Sequence, residues 1–309
     1  MKLSFVCPCY NEEQNVEPFL RLIFESFPVI EDYEVIFIND GSTDGTLNKL
    51  KELKERCSQN IKIINFSRNF GKEAAMYAGL EHACGEYTAI IDTDLQQQPS
   101  VVKEMVKALD DNSEVDCVCA CQQNRKESAF ARICKKAFYK IADKFTNAQF
   151  VDGASDFRVF RSSVREAIVS MSESYRFSKG LFGWVGFNTM YIPYTAEERQ
   201  NGKSSFGFFK LLRYGLNGII AFSTAPLKFS LGVGSAAIVF SILYAIITVI
   251  RKLVSDINVD GFTQLVIIIT FLGGIQLFTI GIIGEYLAKN YIETKRRPIY
   301  IAKEIIDYK

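Results

Sequence analysis

The chain has 309 residues, with 36 lysines and arginines against 35 aspartates and glutamates and a net charge of +1. That balance gives no overall field to attract nucleic acid, and one histidine beside eight cysteines without a C-x-x-C pair excludes an ordinary zinc site. The length exceeds one usual domain and the apolar residues crowd toward the C-terminus, so a soluble domain followed by a membrane unit is expected.

Met1 to Val6 carries a single lysine and soon meets Pro8, Tyr10, Glu12 and Glu13, too early for a signal-peptide core, so the N-terminus is expected in the cytoplasm. Leu3 to Cys9 reads as a buried strand, and Glu13 to Ser26 as a helix with Val16, Leu20, Ile23 and Phe24 on one side. Glu34 to Asn39 is a second strand, closed by the turn-forming run 40–45. Helix and strand then alternate: helices at 47–57, 72–84 and 100–109, strands at 61–66, 87–92 and 116–121. Continuous apolar strands separated by helices predict an α/β fold with a mostly parallel sheet covered on both faces. Cys7 and Cys9, like Cys117, Cys119 and Cys121, alternate along strands and are expected to be free core thiols in a reducing compartment.

Ligands bind beyond the carboxyl ends of the strands in such sheets. Four polar strand ends meet that description: 8–12, Asn39-Asp40, Ser67-Arg68-Asn69 and Asp92-Thr93-Asp94. Two carboxylates in Asp-x-Asp spacing repel one another and are best compensated by a divalent cation, which Mg²⁺ chemistry would share with substrate phosphates. Asp92 and Asp94 are therefore the candidate metal residues.

Further along, 128–146 reads as an amphipathic helix, with Arg125, Arg132, Lys135 and Lys136 as a basic strip suited to an anionic headgroup. A strand at 151–160, a helix to Met171 and a glycine-rich stretch to Gly186 come next, and 206–225 suits a helix at a bilayer surface. Phe229 to Ile250 and Gly261 to Gly284 are uncharged and each long enough to cross a hydrocarbon core, which takes roughly 20 residues. Two spans return the chain to its starting side, and the basic excess outside the short connecting loop predicts that side to be cytoplasmic. The expected division is a catalytic domain over 1–165, an acceptor-side juxtamembrane segment over 166–226, a two-helix hairpin over 227–288 and a basic cytoplasmic tail over 289–309.

Together, Pro8-Cys9-Tyr10-Asn11-Glu12, Asn39-Asp40-Gly41-Ser42, Asn69-x-Gly71, Asp92-x-Asp94-Leu95-Gln96 and Ser155-Asp156-Phe157-Arg158 resemble the GT-A glycosyltransferases of family 2. The likeness is closest to the polyprenyl-phosphate glycosyltransferases, and Arg176-Phe177, Trp184-Val185-Gly186 and Arg297-Pro298-x-Tyr300 extend it over nearly the whole chain. The resemblance implies that Pro8, Tyr10, Glu12 and Asp40 hold the nucleoside, with Lys72, Arg125 and Lys203 completing the substrate-binding set. It implies a Mg²⁺ or Mn²⁺ ion at Asp92, Asp94 and Gln96. Asp94, Asp156 near the acceptor phosphate, and Arg199 reaching the donor diphosphate would be the catalytic residues.

Three positions depart from the family pattern. Gln97 stands where an aspartate is common, Gln122 where an arginine is frequent, and Ser205 where a lysine is usual, which leaves Lys203 for the phosphate. The activity implied is inverting transfer of a sugar, glucose from UDP-glucose first among them, to polyprenyl (undecaprenyl) phosphate at the cytoplasmic face. A homo-oligomer packed through the spanning helices is implied as well. Two other readings stand beside it: a polysaccharide-elongating synthase, and a catalytically weakened membrane protein that binds lipid or partners.

Overall fold

A computed structural model describes residues 2–28, 32–57, 60–122, 154–195, 197, 224–254 and 261–307. The chain divides into two compact units, one of residues 1–218 with 297–309 and one of 219–296.

The first unit is built on β1 (Leu3–Cys9), α1 (Val16–Ser26), β2 (Tyr33–Asn39), α2 (Thr46–Arg56), β3 (Ile61–Phe66), α3 (Lys72–His82), β4 (Tyr87–Ile90), α4 (Pro99–Asp111) and β5 (Cys117–Gln122). After these come β6 (Ala154–Arg161), α5 (Ser162–Ser170), α6 (Ser178–Trp184) and β7 (Thr189–Tyr194), and a last strand, β8 (Ala302–Ile306), closes the chain. The strands form one sheet in the order β7-β5-β6-β4-β1-β2-β3-β8. β1 pairs in parallel with β2 and β4, β2 with β3, and β5 with β7, whereas β6 and β8 run antiparallel to their neighbours. The expected mostly parallel α/β sheet is therefore present.

Burial explains why these segments became strands. β2 and β3 are buried at every position and β1 at all but one, as strands covered on both faces must be. α1 buries Val16, Phe19, Leu20 and Ile23, one stripe at helical spacing, against the sheet. α3 buries Ala74, Ala75, Ala78 and Gly79 beside Met76 and Leu80, and at Gly79 an added Cβ would collide with Val6 and Ile38. The close approach that glycine permits seats α3 directly on β1 and β2, and so fixes where Lys72, at its N-terminus, stands.

Cys7, Cys9, Cys117 and Cys119 are buried thiols outside any disulfide, as expected, whereas Cys121, expected in the core, is half-buried. Cys134 and the amphipathic segments 128–146 and 206–223 lie outside the described residues. Three elements differ from the sequence reading. The glycine-rich stretch before Gly186 contains α6; β7 extends the sheet beyond β5; and the basic tail carries β8, whose residues 302–306 pair with β3.

The second unit contains α7 (Ala225–Val254) and α8 (Phe262–Thr294). Their apolar spans, Ala225–Thr248 and Ile267–Thr294, each have a mean hydropathy of 2.1, and the most apolar stretch of each has no residue buried within the protein. Helices this long, apolar and uncovered are compatible with crossing a membrane.

Candidate active site

The carboxyl ends of β4, β1, β2 and β3 lie side by side because those strands are parallel neighbours. β6 runs the other way, with Arg158 opposite Ile90, so its N-terminal residues reach the same edge and Asp156 stands level with the residues after β4.

Lys72 joins the two carboxylates. Its Nζ lies 2.7 Å from Asp92 Oδ1 and 3.3 Å from Asp156 Oδ2. Burial among the strand ends works against its charge, but Asp92 and Asp156 outweigh that and hold its pKa above the ordinary lysine value. Asp156 is raised by burial and lowered more strongly by Lys72, Lys179 and Arg158, so that it settles at about 2. Because that value is depressed, the pair's stabilisation is complete above the ordinary aspartate value of about 3.9 and is lost as pH falls toward 2. Asp156 makes its ion pair with Lys72 rather than with its sequence neighbour Arg158. The Arg158 guanidinium turns instead to the Ser155 carbonyl at 2.8 Å and lies 4.0 Å over the Phe182 ring.

Gln97 holds the other side of Asp92. Its Oε1 accepts from the Asp92 amide at 2.9 Å, while its Nε2 donates to Asp92 Oδ2 at 3.2 Å. An aspartate here would lack the amide donor and would set a second negative charge against Asp92. The departure at 97 thus replaces repulsion with a two-way clamp.

The chain then turns sharply. Leu95 adopts φ 64°, a left-handed conformation unusual outside glycine, and Gln96 N donates back to Asp94 Oδ1 at 3.2 Å. Gln96 also meets the backbone of Glu197, which donates to the Gln96 carbonyl at 3.1 Å.

Asp40 is buried at the end of β2, and its carboxylate accepts from the amides of Phe70 at 2.6 Å and Gly71 at 2.9 Å. Burial raises its pKa, and the two amides and Arg68 counter part of that rise. Gly41 lets this turn press on the backbone of Arg68 and Asn69, where a Cβ would clash. On the β1 side, Asn11 takes φ 56° and its Oδ1 accepts from Thr43 N at 2.8 Å, while the Glu12 amide donates to Thr46 Oγ1 at 2.9 Å. Beside them Tyr10 is 47% exposed, open to stack on a planar ligand.

The structure therefore brings Pro8, Tyr10, Glu12, Asp40, Lys72, Asp92, Asp94, Gln96 and Asp156 to one sheet edge. Arg125, Arg199 and Lys203 lie outside the described residues. Sequence reasoning missed Glu73, whose Oε2 accepts from the Ser178 amide at 3.0 Å and so ties α6 to the start of α3. His82, at the opposite end of α3 from Lys72, is half-buried with its Nε2 3.3 Å from the Tyr300 hydroxyl.

No group of three or more His, Cys, Asp or Glu side chains able to hold a metal occurs among the described residues. The two aspartates nevertheless fit a cation shared with a diphosphate, since Mg²⁺ needs only one or two carboxylates when phosphates supply the rest. A second observation fits the same view: Asp156 Oδ1 is buried without a hydrogen-bond partner among the described residues, an acceptor left for something that enters the site.

The glycosyl transferase family 2 profile matches residues 4–169, and a GtrB C-terminal hairpin profile matches 225–289. The chain belongs to glycosyl transferase family 2. The family 2 domain is the first unit's core, and the hairpin match covers α7 and most of α8. A Bacillus subtilis (strain 168) protein named as a glycosyltransferase, CsbB, is 41% identical over 98% of this chain and 91% of its own length. The bactoprenol glucosyl transferase of Shigella phage SfV is 37% identical over 98% of each chain. A prophage bactoprenol glucosyl transferase homolog of Escherichia coli (strain K12) is 36% identical over 99% of each. This family 2 member is a glycosyltransferase, and its domain-plus-hairpin layout is that of the polyprenyl-phosphate group.

Proposed function

We propose that the protein transfers glucose from UDP-glucose to polyprenyl phosphate, undecaprenyl phosphate in a bacterium, with inversion at the anomeric carbon. The observation that carries this reading is the Asp92–Lys72–Asp156 contact at the strand-end edge, in a chain alike from end to end to proteins named bactoprenol glucosyl transferases.

The acceptor needs little activation. A phosphate monoester has its second pKa near 6, so at neutral pH it is largely dianionic and already nucleophilic. Asp156, at about 2, is fully ionised there and too weak a base to take a proton. Its role is electrostatic: with Asp92 it holds the Lys72 ammonium where two anionic substrates must meet. Lys72 remains 40% exposed, so a phosphate oxygen can reach it. Tyr10 and Asp40 would grip the nucleoside, and Arg125, Arg199 and Lys203 would add positive charge around the diphosphate and the acceptor headgroup. A divalent cation held at Asp92, Asp94 and Gln96 would supply neutralisation of the leaving diphosphate. Alignment and charge compensation, rather than proton transfer, carry the rate.

The hairpin brings the enzyme to its lipid. β8 follows α8 yet pairs with β3, which supports an even number of crossings and one side for the domain and both ends of the chain. The basic residues flanking the hairpin support the cytoplasmic side. Glycines 273, 274, 281 and 284 on α8 support association of hairpins into a homo-oligomer. The clamp on Asp92 by Gln97 argues against a weakened site.

A donor panel tests the reading. Membranes containing the protein, given undecaprenyl phosphate and labelled UDP-glucose, GDP-mannose or UDP-N-acetylglucosamine, are expected to yield chloroform-soluble label from UDP-glucose. Label from another donor alone would correct the sugar, insoluble polymer would indicate elongation, and no label from any donor would refute transfer.

A further inference from the structure

The motif 297–300 has no place in the chemistry above, yet Tyr300 sits at the centre of a continuous run of rings. It stacks on Phe66 with centroids 4.9 Å apart and planes at 21°. Phe66 in turn meets Phe70 edge-on at 5.7 Å, and the Arg68 guanidinium caps Phe70 at 4.0 Å. On its other side Tyr300 meets Tyr77 at 6.4 Å, and Tyr77 carries the Arg176 guanidinium at 4.5 Å. The Tyr300 hydroxyl donates to Glu81 Oε2 at 2.6 Å, and the next residue, Ile301, accepts from the Ser67 amide at 2.9 Å.

Two of these contacts reach the loop 67–71 directly, Phe66 against Phe70 and the Ile301 carbonyl on the Ser67 amide. Residues 67–69 are exposed, and their one side-chain contact named above is Arg68 over Phe70. The same loop supplies both amides that hold the Asp40 carboxylate, and Lys72 follows it directly. We propose that Tyr300 is a positioning residue, which sets the loop 67–71 and through it the Asp40 end of the nucleotide site. This deepens the proposed function and rests on its placement of the nucleoside at Asp40. It gives the segment that returns from the hairpin a direct mechanical hold on donor binding.

The test uses the full-length protein in membranes or detergent. Tyr300→Leu removes the stacking face, and it is expected to raise KM for UDP-glucose and weaken UDP binding by about tenfold, with kcat changed by less than about twofold. Tyr300→Phe keeps the ring and is expected to stay within about twofold of wild type in both. A merely structural role predicts the opposite split, less active protein with KM and UDP affinity unchanged, and that result would overturn the proposal. If Tyr300→Leu does not accumulate, Phe70→Leu breaks the same run at the loop while keeping its backbone amides, and it is expected to weaken UDP binding similarly. Unchanged UDP affinity in Phe70→Leu would overturn the proposal too. UDP binding is read without any lipid acceptor. A wild type that binds UDP but makes no lipid product would therefore sink the acceptor assignment, while the Tyr300 variants still decide this one.

Discussion

Asp94→Asn is expected to lower transfer by at least about a hundredfold while leaving the amount of membrane-bound protein unchanged. Asp94 sits past the end of β4, in the turn made by Leu95, and outside the buried core. Asparagine fits the same space and can still accept from the Gln96 amide, so the local backbone should persist. What disappears is one negative charge at the place where a cation and a diphosphate would meet, and the effect should fall on kcat more than on donor KM. Single-turnover rates on purified protein, with its thermal midpoint as a control, check this. Near-normal turnover would remove Asp94 from the site.

Lys72→Met is expected to cost about a hundredfold or more in kcat, because it deletes a fixed positive charge aimed at the reacting anions. It also strips Asp92 and Asp156 of their shared partner, leaving two carboxylates to repel each other at close range. Asp156 should then titrate above its present value of about 2, since Lys72 is the largest influence lowering it. Wild type and variant alike should lose activity as the lipid phosphate protonates near about 6. The kcat of wild type and variant at neutral pH decides the matter, and unchanged turnover would separate Lys72 from catalysis.

The site edge was legible in the sequence because parallel strands announce themselves. Leu3 to Cys9, Glu34 to Asn39 and Ile61 to Phe66 are apolar runs ended by polar residues, and a parallel sheet aligns those ends automatically. Asp92 and Asp94 could be found that way. Lys72 and Asp156 came only from the family resemblance, since what joins them to Asp92 depends on register and loop shape: Lys72 comes from 20 residues away and Asp156 from an antiparallel strand.

Gln97 looked like a lost charge in the sequence and proved to be a clamp, because only the folded turn shows that its amide faces both the backbone and the carboxylate of Asp92. α6 was hidden by its two glycines, which weaken any local helix signal; its first turn is held by Glu73, 105 residues away. β8 was hidden for a related reason. Five residues after a long apolar helix and a basic run carry no strand signal of their own, and only the open edge of β3 makes them one.

The central claim is that the Asp92–Asp94 edge works with a divalent cation to release the nucleotide as a lipid phosphate attacks. Purified full-length protein, incubated with labelled UDP-glucose and undecaprenyl phosphate, measures it most directly when a chelator is added and then titrated out with Mg²⁺ or Mn²⁺. The account predicts chloroform-soluble label that vanishes in chelator and returns with the metal. Transfer at full rate in chelator would contradict it.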